Sequence, residues 1–435
     1  MVVAGLLLLI ATAIGVVCYL RRPLLSPESS SLSPQAPQAL ALPNKPSLVV
    51  LPFTNMSNDS EQEYFSDGLT EELTSTLAKL SSLFVIARNS AFTYKGKAVK
   101  VQDVSRELGV RYVVEGSVRK ADNRVRVTAQ LIDATTGGHL WAQTYDREMQ
   151  DIFAVQDEVT QKIMFALKVT LTPEEQARFR QTSTHDLEAY DYCLRGMEQY
   201  LRFTKEANAQ ARQLLEKAIT IDPQYAEAYA ALAVVHWQAW IWQWNRDPHG
   251  LDWAFDSAQR AVTLNDSLAR AYALLGNFYL SKKQHDQAIA AGERAILLDP
   301  NDAEGYAWLG QILNYAGRPG ETIGLIEKAM RLNPHYPEYY PSILGFAYRL
   351  LGQYKEAIAA QKNALAHNPD FLSGHTQLAV LYSELGQEEE ARAEVAEMLR
   401  ISPQFSLKVY GQRIPFKNPA DLERYLAALH KAGLK

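Results

Sequence analysis

Ala271–Pro300 reads AYALLGNFYLSKKQHDQAIAAGERAILLDP and Gly305–Pro334 reads GYAWLGQILNYAGRPGETIGLIEKAMRLNP. Set 34 residues apart, the two stretches pair Tyr272 with Tyr306, Leu275 with Leu309, Gly276 with Gly310, Ala295 with Ala329 and Pro300 with Pro334. Leu344, Gly345, Tyr348, Ala357, Ala364 and Pro369 carry a third copy. Asp222-Pro223, Asp299-Pro300, Asn333-Pro334, Asn368-Pro369 and Ser402-Pro403 each follow an amphipathic segment, and the last four lie 34, 35 and 34 residues apart. Asn265-Asp266 falls one such step before Asp299-Pro300. A fixed period of this length means stacked helical pairs, in which small residues let paired helices approach and Leu and aromatic residues bury between neighbouring pairs. Six units begin near 187, 226, 269, 303, 338 and 372 and fill 187–403. The first is divergent and reads as a cap; 404–435, ending NPADLERYLAALHKAGLK, reads as a capping helix over the last repeat.

The period and its Tyr, Leu-Gly, Ala and Pro positions are similar to tetratricopeptide repeats. The resemblance implies partner binding on a concave face made by the first helix of each pair. Its register places there Glu227, Ala230, Val234 and Trp237, then Arg270, Ala273, Asn277 and Leu280. Glu304, Ala307, Gln311 and Asn314 follow, and Tyr339, Ser342, Phe346 and Arg349 complete the expected groove. Repeat proteins that clamp a terminal carboxylate place Lys where Ala273, Ala307 and Ser342 stand here, so a carboxylate clamp is not expected. The second unit carries about nine extra residues within HWQAWIWQWNRDPHGLDW, and five of the chain's seven tryptophans lie in Trp237–Trp253. Trp237, Trp240, Trp242 and Trp244 either pack inside the fold or form an exposed patch that grips a peptide, glycan or bilayer.

Upstream, SLVVLPF from Ser47 reads as a buried strand. EYFSDGLTEELTSTLAKL follows as a helix with Phe65, Leu69, Leu73, Leu77 and Leu80 on one face. LFVIARNS predicts a second strand, DVSRELGV a short helix ending at Gly109, and 111–148 three antiparallel strands with turns at Ala-Asp-Asn and Thr-Gly-Gly. Ile152–Leu171 closes this α+β domain, 47–171, as an amphipathic helix. Gly116 and Gly137-Gly138 read as bulge and turn residues, and Arg88–Tyr94 as a candidate binding loop.

The blocks SLVVLPFTNMSND, EYFSDGLTEEL, FVIARNSAFTYKGK, VSRELGVRYVVEGSVRK, RVTAQLIDATTGGHLWAQTYDRE and IFAVQDEVT resemble the TolB-type amino-terminal domain of bacterial membrane-anchored regulators. That family places the domain between a transmembrane helix and tetratricopeptide repeats. Such regions often form the sensory half of receptor-type class III adenylate cyclases or of winged-helix transcription regulators. The expected fold is thus a TolB-like α+β domain followed by an all-α tetratricopeptide-repeat solenoid, with one amino-terminal transmembrane helix.

That helix is expected at 1–20, an uncharged run long enough to span roughly 30 Å of hydrocarbon. No basic n-region precedes it, the nearest small-x-small site (Ala39–Ala41) lies far beyond it, and Val16 and Val17 stand before Cys18 where a lipoprotein needs small residues. Residues 21–46 are Pro- and Ser-rich, an extended spacer. Arg21-Arg22 favour a cytoplasmic folded part, while the family resemblance favours the periplasm.

Among 435 residues, 44 Lys plus Arg against 49 Asp plus Glu give a net charge of -5, which argues against a nucleic-acid footprint. Two cysteines exclude a disulfide framework or Cys-rich zinc site. Glu115, Asp133, Asp146, Arg147 and Asp151 lack a nucleophile and base at recognisable spacing, and the nine histidines, His236 and His375 among them, form no His-x-x-x-His pair. No catalytic, cofactor or metal residue is expected. The chain reads as a non-enzymatic interaction or sensory protein with a protein or peptide partner, held to the membrane by its amino-terminal helix.

Overall fold

The computed structural model describes residues 40–57, 59–179, 184–245, 247 and 249–435. The expected transmembrane helix, Cys18, Arg21-Arg22 and the spacer up to 39 lie outside the described residues. Among the described residues, no helix is long and apolar enough to cross a membrane.

The first domain is a six-stranded mixed sheet with the order β3-β1-β4-β5-β6 and β2 alongside β4. The strands are β1 (Ser47–Val50), β2 (Thr54–Asn55), β3 (Phe84–Val85), β4 (Tyr112–Ala121), β5 (Arg124–Asp133) and β6 (Gly138–Glu148). β1 runs parallel to β3 and β4, whereas β4, β5 and β6 form the expected antiparallel meander. Strand alternation sends Val114, Val118, Val127, Ala129 and Leu131 to one face. There they pack on Leu69, Leu73 and Leu77 of α1 (Glu63–Ala78) and on Val155, Val159 and Ile163 of α4 (Ile152–Ala166).

Three expectations change. Strand β3 is only two residues long, because the chain turns at once into α2 (Arg88–Phe92). Helix α4 stops at Ala166, with Lys168 left-handed at φ 55°, and a separate helix α5 (Pro173–Phe179) follows. Gly116 is no bulge: it pairs in register with Ala129, and the irregularity lies at Leu131/Ile132. Glycine stands there because a Cβ would lie 2.2 Å from the Thr128 carbonyl oxygen and 2.6 Å from Phe53.

The array follows as helical pairs: α6 (Leu187–Leu201) with α7 (Lys205–Ile221), α8 (Ala226–Ile241) with α9 (Gly250–Leu264), and α10 (Ala269–Ser281) with α11 (His285–Leu298). Next come α12 (Ala303–Tyr315) with α13 (Pro319–Leu332), α14 (Tyr339–Leu350) with α15 (Tyr354–His367), and α16 (Leu372–Glu384) with α17 (Glu388–Ile401). The repeated glycine is a contact point between paired helices; a Cβ on Gly345 would lie 3.1 Å from the Ala357 carbonyl. Beyond the array, one expected capping helix is two, α18 (Leu407–Arg413) and α19 (Pro419–Lys431), joined by Ile414–Asn418.

Domain and array share a core. Val49, Ile86, Val104, Leu108 and Val113 cluster with Tyr306, Ala329, Leu332, Tyr339 and Tyr340. Two successive repeat turns dock on the sheet edge. Asn301 accepts from the Val85 amide (3.3 Å) and donates to the Ala78 (2.8 Å) and Leu80 (3.3 Å) carbonyls. One repeat on, Ser90 Oγ donates to Asn333 Oδ1 (2.6 Å) and accepts from the His335 amide, while the Ala87 amide donates to the Leu332 carbonyl. Arg88–Tyr94, expected as a binding loop, thus spends its central polar group on its own array. Asn301→Ala strands a buried amide and two carbonyls, and is expected to cost roughly 1–3 kcal/mol, read as a lowered unfolding midpoint in urea.

Candidate partner-binding surface

The first helices of successive units pack on one another, which places them on the inner side of the curl. Ala230, Ala273, Ala307 and Ser342 form one column there, all buried, and their small size lets the curl tighten. Trp237 of the second unit reaches past the third, its ring 6.0 Å from both Phe278 and Trp308. The groove expected from the register is therefore largely closed. Asn277 donates back to the Ala273 carbonyl (3.2 Å), and Asn314 donates to the Ile343 carbonyl (3.0 Å). Gln311 is buried with its Oε1 unpartnered. Phe346 lies against Tyr315 (5.2 Å) and Phe416 (5.8 Å), and Arg349 is bound to Glu384 (3.1 Å). Arg270 is the exposed member of the set, 3.8 Å from Glu71 of α1.

The tryptophan-rich stretch divides between the two readings. Trp237 is core. Trp240 is half-buried against Gly250 of α9. Trp242 and Trp244, also half-buried, stack at 6.3 Å, and Phe203 meets both edge-on at 5.1 and 5.5 Å. Phe203 and Gln243 hold these rings from left-handed backbone (φ 53° and 50°), a conformation side chains disfavour and packing must sustain. The cluster ties the end of α6 to the end of α8.

Acidic groups collect where array and domain meet. Burial pushes Glu227 and Glu304 up to about 7, each raised further by a neighbouring acid, Glu72 and Asp302 respectively. The Tyr339 hydroxyl donates to the Glu304 carboxylate and partly offsets the rise. A raised carboxyl favours the folded state below its unfolded value near 4, and that contribution is lost as pH climbs through about 7. Glu304→Gln keeps the Tyr339 contact without the charge. It is expected to raise the melting temperature at pH 8 and leave it unchanged at pH 4; an equal shift at both would refute the ionisation account.

Sequence reasoning missed the residues that fill or brace this region: Glu71, Phe203, Asn301, Tyr315, Phe416 and Lys417. Pro415 and Pro419 flanking Phe416-Lys417 mark an extended link between helices and offered a partial signal. The Asn-rich turns offered none, since Asn is an ordinary turn residue.

The fold and the sequence agree on the class of protein these helices form. Tetratricopeptide-repeat family models match residues 269–302 and 348–407. The chain carries tetratricopeptide repeats, a scaffold that binds protein or peptide partners in other proteins. Among particular relatives, the "Putative adenylate cyclase 3" of Rhizobium meliloti (strain 1021) is 52% identical over 227 residues, covering 52% of this chain and 39% of that protein. The chain therefore spans about two fifths of that relative's length. Solved structures similar to it include TTC0263, a thermophilic TPR protein of Thermus thermophilus, at 25% identity and TM-score 0.36, covering 47% of this chain and 99% of that one. YrrB, a TPR protein with an unusual peptide-binding site, gives 21%, TM-score 0.32 and coverage of 43% and 92%. Pseudomonas aeruginosa pilF gives 20%, TM-score 0.39 and coverage of 50% and 92%.

Proposed function

We propose that this chain is a membrane-anchored, non-enzymatic sensory protein of a signalling system that binds a protein or peptide partner through its repeats. The observation that carries the reading is the repeat array itself, fused to the sheet by a shared core, so that a partner held by the repeats bears on the sheet domain as well. The proposed anchor is the uncharged run 1–20, and the family resemblance supports a periplasmic folded part. Protease protection in spheroplasts tests the side: digestion of the repeats from outside supports the periplasm, and protection supports the Arg21-Arg22 orientation.

A second reading, in which the chain is the sensory region of an adenylate cyclase, is favoured by the Rhizobium relative. Cyclic AMP from the purified full chain with ATP and Mg²⁺ would overturn the non-enzymatic claim that both readings share. An immunoblot of source-cell membranes against the repeats separates them, since a band larger than this chain supports the cyclase reading. Partner binding is tested by cross-linking in cells. Trp240→Ser with Trp242→Ser is expected to abolish the adduct while the array still melts cooperatively; an unfolded variant would assign these rings to packing alone.

A further inference from the structure

The segment between α18 and α19 does more than connect them. Ile414–Lys417 leaves the last unit and lies back across the inner ends of earlier helices. The Lys417 amide donates to the carbonyl of Tyr315, the last residue of α12, at 2.9 Å. Lys417 Nζ reaches Asp286 of α11 at 2.8 Å. The Phe416 ring, 7% exposed, enters a box formed by Tyr315 (5.2 Å, edge-on), Phe346 (5.8 Å, edge-on) and Tyr425 (5.7 Å). An aromatic box, a helix-end carbonyl that takes its bond from outside the helix and an acid one step away are the parts of a short-peptide site. The chain itself shows what fits: an aromatic residue followed by lysine, in a non-helical link that bends at Lys417.

The strap's polar hold where it crosses is light, while Ile414 and Phe416 are buried among apolar neighbours. Its ion pair is solvent-exposed, Lys417 at 49% and Asp286 at 88%, and one main-chain bond completes the polar contacts there. The flanking helix is anchored elsewhere: Tyr425 and Leu429 of α19 are buried against the last unit, and Arg424 binds Glu384. Moving Phe416-Lys417 off Tyr315 and Asp286 would uncover the Phe416 ring yet leave the Leu429 and Arg424 contacts of α19 in place.

We propose that the Tyr315–Phe346–Asp286 site is a peptide-docking site for a protein partner bearing an aromatic-lysine pair, and that Phe416-Lys417 occupies it as an internal competitor. This rests on the reading of the chain as a peptide-binding repeat protein. It adds a second contact site beside the tryptophan cluster, with its class of partner and the means by which binding there is restrained.

The probe is a fluorescent peptide of sequence RIPFKNP, matching 413–419, titrated against the full chain by anisotropy. Phe416→Ala with Lys417→Glu is expected to bind it at least about tenfold more tightly than the unaltered chain, the equivalent of one removed contact of about 1.4 kcal/mol. Adding Asp286→Lys, or scrambling the peptide, is expected to abolish the gain. If the double variant melts early, Lys417→Glu alone, which alters an exposed group, is expected to give a gain of about threefold. Excess probe is also expected to speed tryptic cleavage after Lys417 in the unaltered chain. A released variant that folds yet binds the probe no better than the scrambled peptide overturns the proposal. So does probe binding that leaves cleavage at Lys417 unchanged. Partner cross-linking that survives either result would keep the peptide-binding reading and remove this site alone.

Discussion

Glu384→Gln is expected to destabilise the carboxy-terminal half of the array by about 3–5 kcal/mol, the cost of leaving a buried charge without its counterion. Glu384 is 8% exposed and its Oε1 accepts from Arg349 (3.1 Å) and Arg424 (2.7 Å). Arg349 is 2% exposed, with its Nε and one terminal nitrogen unpartnered, and its guanidinium lies over the rings of Phe346 (5.4 Å) and Tyr425 (5.0 Å). Without the carboxylate, the buried Arg349 guanidinium keeps its charge with no counterion, beside the half-exposed Arg424. The control is Arg349→Met with Glu384→Leu, which removes the buried charge and its partner together and is expected to be more stable than Glu384→Gln. If urea denaturation finds the single variant within about 1 kcal/mol of the unaltered protein, water reaches this pair and the closed inner face described above is wrong.

Trp237→Ala is expected to cost about 3–5 kcal/mol, as large buried rings do when truncated to a methyl group. The ring bridges the second and fourth units through Phe278 and Trp308, so its loss opens a void at the centre of the curl. Because stability in a repeat array resides in unit interfaces, the melting curve is expected to broaden as well as shift. Trp237→Phe tests the cause. The indole Nε1 has no hydrogen-bond partner, so a smaller ring that keeps most of the contact is expected to recover most of the loss. Equal destabilisation by both substitutions would mean that volume at this point is not what matters.

The repeat order, the helical pairing and the β4–β6 meander were legible because each rests on spacing: 34 residues between Pro300 and Pro334, and alternating residues between Val125 and Leu131. Register also gave an expectation for which side of each first helix turns inward. It could not say whether that inward space is empty. Asn277, Asn314 and Arg349 look alike in sequence whether they await a ligand or bind Ala273, Ile343 and Glu384. The contacts that closed the space, such as Phe416 with Tyr315, and those that dock the domain, such as Ser90 with Asn333, join distant parts of the chain, and no local pattern encodes them. The same holds for the Trp237–Trp253 stretch. Its composition announced a feature, and only packing divided it into one core ring and a half-buried cluster.

Strand β3 is the outer strand of its sheet, and its outward amides are satisfied by something other than a strand. Val85 bonds to Asn301 and Ala87 to Leu332, so two turns of the array stand where a neighbouring strand would pair. An open sheet edge invites another chain to add to it. The repeats therefore act as a guard against self-association of the domain they follow. Residues 40–179 expressed alone would present that edge together with the apolar surface of Val49, Ile86 and Val113. Such a fragment is expected to form oligomers in solution, in proportion to its concentration, where the longer chain keeps the edge covered.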